Sequence, residues 1–106
     1  MMTVLTYATL RESAEPEWDE AMRERLASAR SHPGWIGGQL LMPLDGLNRR
    51  VIIGTWRTRA DWEAWHNDES FQRTRERLDG LESEPSQTTW FEVLVESRRN
   101  DASAQD

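Results

Sequence analysis

Apolar or β-branched residues alternate along two faces from Thr3 to Leu10, the period-two pattern of a strand. Val4, Thr6, Ala8 and Leu10 share one face; Leu5, Tyr7 and Thr9 share the other. The period then changes. In "SAEPEWDEAMRERLASARSHPG", Trp18, Met22, Leu26 and Ala29 recur at helical spacing and mark a buried stripe. Pro16 suits the first helical turn, and Glu17, Asp19 and Glu20 complement the positive end of the helix dipole. His32-Pro33-Gly34 stops the helix. A second strand follows in "GWIGGQLLMP" and a third in "RRVIIGTW", Arg49 to Trp56. "LDGLN" between them is a turn with Asp45-Gly46 at its tip, so the two strands form a hairpin. Thr58-x-x-Asp61 is a capping-box variant that opens another helix. Asn67-Asp68 breaks or recaps it, a helix carries on to Leu78, and Gly80 suits its C-terminal cap. After the loop "LESEPSQ", a last strand is predicted from Thr88 to Glu96, with Phe91, Val93 and Val95 alternating inward.

The order β-α-β-β-α-β is the α+β, ferredoxin-like pattern, with a four-stranded antiparallel sheet. Two helices cover one face of such a sheet. The strands are apolar on both faces: Ile36 and Leu40 are read on one side, Trp35 and Leu41 on the other, and Val51 and Ile53 oppose Ile52 and Trp56. An uncovered apolar face calls for a partner, and the simplest partner is a second copy, face to face, giving a homodimer. The domain is expected over 1–97, with a polar tail over 98–106.

Composition narrows the function classes. A chain of 106 residues is one domain with one modest core. A net charge of −6 and a pI near 4.9 argue against a nucleic-acid partner. No apolar run is long enough to span a membrane. The opening "MMTVLTYATLRES" lacks a basic region followed by an apolar run, so no secretion signal is visible, and a cytoplasmic location is expected by elimination. Without cysteine there is no disulfide, thiolate nucleophile or Cys-ligated metal. All 13 basic residues are arginine, which excludes Schiff-base chemistry. His32 and His66 lie far apart in sequence, with no HxH or HxxxH spacing, so no metal site is expected.

Three motifs then combine: "HPGWIGGQLL" at the start of the second strand, "TW" at the end of the third, and W-x-x-W-x-x-x-x-x-F over Trp62, Trp65 and Phe71. With the order of elements, they make the chain resemble the antibiotic biosynthesis monooxygenase domain family of dimeric α+β barrels, over roughly residues 3–96. The leading function the resemblance implies is cofactor-independent oxygenation of a flat aromatic or polyketide-type small molecule. The alternatives are a haem- or tetrapyrrole-binding, haem-degrading-like protein and a non-catalytic small-molecule-binding module. The haem-degrading branch implies an asparagine on strand one, a tryptophan in the second helix region and, nine or ten positions later, an iron-ligating histidine. Trp65 matches the tryptophan; the asparagine position falls at Thr6 or Tyr7, and the histidine position at Thr74 or Arg75. In the aromatic-oxygenase branch, tryptophan, tyrosine, asparagine, arginine and histidine hold and deprotonate a phenolic substrate. Trp65, His66, Asn67, Arg75 and Tyr7 are the residues of those types in the corresponding region.

The residues have their own chemistry. Trp62, Trp65 and His66, at i, i+3 and i+4, share a helical face. The tryptophans are core anchors or pocket walls. A histidine titrates near neutral pH, so His66 can serve as a general base, or it is an exposed or capping residue. His32, at a helix end, is read as structural. Phe71, Thr74, Arg75 and Leu78 line the inward face of the last helical run, with Arg73 and Arg77 outward and Glu69 paired to Arg73. An inward arginine needs an anion, unless its stem packs and its head reaches water. Gly37, Gly38 and Gly54 lie inside strands and mark a bulge or a close approach; Gly54, between Ile52 and Trp56 on one face, opens a slot. The expected catalytic residues are therefore His66, Arg75 and Trp65, and the expected substrate contacts are Thr6, Tyr7, Trp56, Asn67, Phe71 and Thr74.

Overall fold

The computed structural model describes residues 1–99. The elements run β1 (Met2–Thr9), α1 (Glu15–Ala29), β2 (Trp35–Leu41), β3 (Arg49–Trp56), α2 (Arg59–Trp65), α3 (Glu69–Leu78) and β4 (Gln87–Glu92). The strands form one antiparallel sheet in the order β2-β3-β1-β4. This is the α+β ferredoxin-like arrangement expected from the pattern. Most of the polar tail, from residue 100 on, lies outside the described residues.

Cross-strand pairing decides which side chains share a face. Val4 pairs with Gly54 and Trp90, and Thr6 with Ile52 and Thr88, so these point to the side on which the helices lie. Leu5 pairs with Ile53, Tyr7 with Val51 and Thr3 with Phe91, and these point to the open side. A bulge between Trp35 and Gly37 puts Trp35, Gly38 and Leu40 on the helix side with Trp56, Gly54 and Ile52. Strict alternation had grouped Leu40 with Ile36 and set Trp35 apart; the extra residue at the bulge reverses that grouping. Gly38 is required there, because a Cβ would stand 2.5 Å from the Trp35 indole and 2.6 Å from the Ile53 carbonyl.

The last strand differs from its expected form. Its ladder with β1 ends at Glu92, with one further bond from Val93 N–H to the Met1 carbonyl. Phe91 therefore faces the open side, half exposed, and Val95 is 86% exposed rather than inward. The β2–β3 connection is two successive turns, Gly46 N–H to the Pro43 carbonyl and Arg49 N–H to the Gly46 carbonyl, instead of a single tip at Asp45-Gly46.

α1 seals one half of the core. Trp18, Ala21 and Met22 pack with Ala8, Leu10 and Leu78, and Leu26, Leu40, Ile52 and Leu81 close around them. Arg50, 6% exposed, fixes this helix to β3: its Nε and Nη2 donate to the two Asp19 carboxylate oxygens at 2.8 and 3.0 Å. Its Nη1 donates to the carbonyls of Leu47 and Arg49. Arg77, expected to point outward, instead bonds Glu24 of α1, because α3 lies alongside α1. Gly80, at φ +80, ends α3 in the left-handed conformation that suits glycine.

Trp18 is fully buried, and its indole N–H donates to Glu82 at 3.1 Å. Trp18→Ala is expected to lower stability by about 3–5 kcal/mol. The check is the denaturant midpoint at unchanged slope; a loss under about 1 kcal/mol would contradict this core assignment.

Candidate functional site

The second crossover connection is a helix broken in two. Thr58 caps α2 by accepting from Asp61 N–H at 3.1 Å, and its hydroxyl donates to the Asp61 carboxylate. Asp68, with an extended ψ of 138°, caps α3 by accepting from Ser70 N–H at 2.7 Å. Its other carboxylate oxygen lies 2.9 Å from His32 Nε2, beyond the end of α1. The hydrogen bond from His32 is the main reason the Asp68 carboxyl is held below its ordinary value. His32 thus has the structural role expected of it, through a side chain rather than a helix dipole.

Between the helices and the sheet lies a cavity of about 650 Å³. Its aromatic end is built from Trp35, Trp56, Trp62, Trp65 and Phe71; its sheet floor includes Thr6, Ile52, Gly54 and Thr88. Trp56 is fully buried, with the Trp35 ring at 5.1 Å and the Trp65 ring at 5.3 Å. Trp65 is both wall and core: it is 6% exposed and its indole N–H donates to Ser28 Oγ at 3.0 Å. The slot expected at Gly54 is present, since a Cβ there would touch the Trp35 and Trp56 rings at 3.5 Å.

His66 lines this cavity from the end of α2. Its ring centroid lies 4.2 Å from that of Trp62 and 4.3 Å from that of Phe71. Nδ1 is 2.8 Å from the Trp62 carbonyl. A carbonyl only accepts, so Nδ1 carries the proton and Nε2 keeps its lone pair. Burial lowers the His66 pKa; the Trp62 carbonyl opposes this, and the charges of Arg25 and Arg75 add to it. The imidazole is therefore neutral at pH 7, with a basic nitrogen available.

Two guanidiniums flank it. Arg75 reaches the cavity from α3, with Cζ 5.5 Å from the Phe71 ring centroid. Arg25 reaches it from α1, with Cζ 3.9 Å over the same ring and Nε donating to Thr74 Oγ1 at 2.8 Å. Burial, and secondarily Arg75, push the Arg25 pKa down to about 10, against the opposing charge of Glu82.

Trp56, Trp65, His66, Phe71, Arg75 and Thr6 thus converge on one cavity. Tyr7 does not, because its position in β1 points to the open face, where it is 49% exposed. Asn67 sits exposed in the turn between α2 and α3. Thr74 is fully buried behind the wall, its hydroxyl donating to the Phe71 carbonyl and accepting from Arg25. Sequence reasoning missed Arg25. The signal was present: Trp18, Met22, Arg25 and Ala29 continue one helical stripe, so an arginine occupies an inward position there too.

The profile of the antibiotic biosynthesis monooxygenase family matches residues 1–77. The chain belongs to that family. Among solved structures, this antibiotic biosynthesis monooxygenase family member is similar to a candidate monooxygenase of the same family from Nitrosomonas europaea. That likeness has a TM-score of 0.85 at 21% identity, covering 90% of this chain and 100% of the other. It is also similar to SnoaB, a cofactor-independent oxygenase from Streptomyces nogalater, with a TM-score of 0.78 at 19% identity, covering 90% and 94% of the two chains. Among curated proteins it matches a mycobilin-producing heme oxygenase of Mycobacterium tuberculosis, 32% identical over 54 residues. That match spans about half of each protein, 51% of both. Among the described residues of this family member, no helix is long and apolar enough to cross a membrane.

The tautomer and the lowered pKa of His66 can be read directly by imidazole nitrogen NMR. The expected result is a proton on Nδ1 and a midpoint below the ordinary value of about 6.5. Because the folded pKa lies below the unfolded one, His66 contributes stability that is complete above about pH 6.5 and is lost as the pH falls through the folded value. A His66 midpoint above the ordinary value would contradict this environment.

Proposed function

We propose that this protein is a cofactor-independent oxygenase of flat, phenolic or anthrone-like polycyclic molecules. The observation that carries the reading is the neutral His66, with Nε2 available, inside an aromatic-walled cavity beside the Arg75 guanidinium. The cavity volume falls in the range of small-molecule sites, roughly 300–1,000 Å³, and its tryptophan walls suit a flat ring system. SnoaB, described as a cofactor-independent oxygenase, shares the fold and supports the reading.

The chemistry follows from the groups present. His66 Nε2 removes a proton from the substrate, from a phenol or from the ring carbon made acidic by it, leaving an electron-rich carbanion. Arg75 stabilises the negative charge as it develops. The carbanion transfers electrons to dioxygen and forms a carbon–oxygen bond, giving a peroxide anion that takes back the proton from His66. Loss of the second hydrogen on that carbon, with cleavage of the O–O bond, yields a carbonyl and water. One methylene and one dioxygen thus give one ketone and one water.

Haem, the second ligand class suggested by the mycobacterial relative, suits these residues poorly. At the positions where the haem-degrading branch carries its iron ligand stand Thr74, with its hydroxyl committed to Phe71 and Arg25, and Arg75. Neither is a usual iron donor.

Oxygen uptake with a panel of anthrones and hydroquinones tests the reading. Turnover is expected, and His66→Gln should lower kcat by about 10²–10⁴-fold, the usual contribution of a positioned base. Absence of uptake across the panel, with ligands still bound, would favour a binding module instead.

The open sheet face is the second part of the proposal. Leu5, Val51, Ile53, Leu41, Tyr7 and Phe91 form an apolar surface that no helix covers. A second copy packed there closes the barrel and removes that surface from water. Light scattering should give the mass of two chains, and Ile53→Arg should shift it to one. A monomer at micromolar concentration would overturn the dimer.

A further inference from the structure

Residues 66–68 join α2 to α3, and His66 is the first of them. Most hydrogen bonds on this turn come from the two helices it joins. His66, Asn67 and Asp68 donate their N–H groups to the carbonyls of Glu63, Ala64 and Trp65. Gln72 donates from its main chain to the Asp68 carbonyl and from its side chain to the His66 carbonyl. These bonds shape the turn without fixing it to the rest of the fold. Among the described residues, one hydrogen bond from the turn does that: Asp68 Oδ2 lies 2.9 Å from His32 Nε2. A carboxylate only accepts, so His32 donates. His32 is itself held on both sides. Its N–H donates to the Ala29 carbonyl at 3.0 Å at the end of α1, and its carbonyl accepts from Trp35 N–H at 3.1 Å at the start of β2. Its ring also stands edge-on to Trp56, with 6.4 Å between centroids. α1, β2 and β3 carry Arg25, Trp35 and Trp56 of the cavity lining, so the His32–Asp68 bond sets the turn against the walls that lie outside α2 and α3.

We propose that His32 and Asp68 are positioning residues for His66: their hydrogen bond anchors the α2–α3 turn so that Phe71 closes on the imidazole. This rests on the oxygenase reading for the role of His66 as the base. The Trp62 carbonyl fixes the tautomer of His66 from within α2, but it does not fix the second side of the ring. The imidazole stands between Trp62 of α2 at 4.2 Å and Phe71 of α3 at 4.3 Å. The second contact lasts only while the turn keeps α3 at its present angle to α2. A general base acts within a few tenths of an ångström of its proton, so a small shift of this turn is costly to the reaction. The same shift opens the ring to water. Burial is the first cause of the lowered His66 pKa, ahead of the charges of Arg25 on α1 and Arg75 on α3, with Glu63 on α2 opposing them. Loss of the anchor therefore raises the His66 pKa toward its ordinary value.

Three variants separate the anchor from the helix cap. Asp68→Ser keeps a side-chain oxygen to cap α3 but is too short to reach His32. His32→Leu removes the bond from the other side, and His32→Gln keeps a donor there. The readouts are the His66 midpoint by imidazole nitrogen NMR and the kcat and KM of oxygen uptake with an anthrone, with thermal melting to show that each variant is folded. Asp68→Ser and His32→Leu are each expected to move the His66 midpoint up toward about 6.5. Each should lower kcat by about 10–100-fold, the scale of a slightly misplaced catalytic group, with KM within about twofold. The double variant should lose no more than either single one, because both remove the same bond. His32→Gln should restore most of kcat and of the midpoint. If Asp68→Ser does not fold, His32→Leu and His32→Gln carry the comparison. A merely structural bond would lower the melting temperature alone. A folded variant that takes up oxygen with an unchanged kcat or an unchanged His66 midpoint would overturn the positioning role and keep the oxygenase reading. Because the NMR midpoint needs no turnover, a shifted midpoint in a protein without oxygen uptake keeps the anchor and removes the oxygenase reading.

Discussion

The site depends on the carboxylate of Asp68. One of its oxygens accepts from Ser70 N–H and starts α3; the other holds His32 beyond the end of α1. An unbroken helix from Arg59 to Leu78 would keep the 3.6-residue period, so that Trp65 and His66 at one end and Phe71 and Arg75 further along would be fixed on one straight axis. The break at Asp68 re-aims the second segment. Phe71 then meets Trp65 at 4.8 Å and His66 at 4.3 Å, and α3 is free to lie along α1. The short polar turn at Asn67-Asp68 is therefore the element that converts an aromatic-rich sequence into a concave wall.

Phe71 is the hub that this turn puts in place. Its ring takes Trp65 and His66 on its aromatic neighbours' side and the Arg25 guanidinium at 3.9 Å. Cation–π contact offsets part of the desolvation of Arg25, about 0.5–2 kcal/mol in such geometries. Burial, and secondarily the charge of Arg75, depress the Arg25 pKa to about 10, against the opposing charge of Glu82. The same two arginines help keep His66 neutral. Aromatic walls, a neutral base and two guanidiniums are thus one coupled arrangement, on a lining that also carries Asp79, Glu82 and Glu84. The apolar open face of the sheet stands apart from this arrangement, on the opposite side of β1 and β3.

Much of the architecture was legible in the sequence because it follows from local rules. Strand alternation in Thr3 to Leu10, the Trp18–Met22–Ala29 stripe, the Thr58 and Asp68 caps and Gly80 each involve residues within a few positions of one another. The motif spanning Trp62, Trp65 and Phe71 likewise pointed to the family to which the chain belongs. Of the site, Trp56, Trp65, His66, Phe71 and Arg75 were legible by face and spacing, since each lies on the inward side of its own element.

What only the tertiary structure decided concerns pairs far apart in the chain. A bulge at Ile36 turned Trp35 toward the cavity, and periodicity cannot show an inserted residue without the partner strand. Strand register sent Tyr7 and Phe91 to the open face. Thr74 lay on the inward face as expected, but α1 covers it, so it supports Arg25 instead of meeting a ligand. The tautomer of His66 was set locally by the Trp62 carbonyl four residues earlier, whereas its lowered pKa comes first from burial in the tertiary structure and then from the charges of Arg25 and Arg75 on other helices. The sequence determined which faces are apolar and where the helices start and stop, because those are short-range matters of period and capping. Arg25 and Arg75 met at the cavity because α1 packs against α3, a long-range packing that no single window of the chain contains.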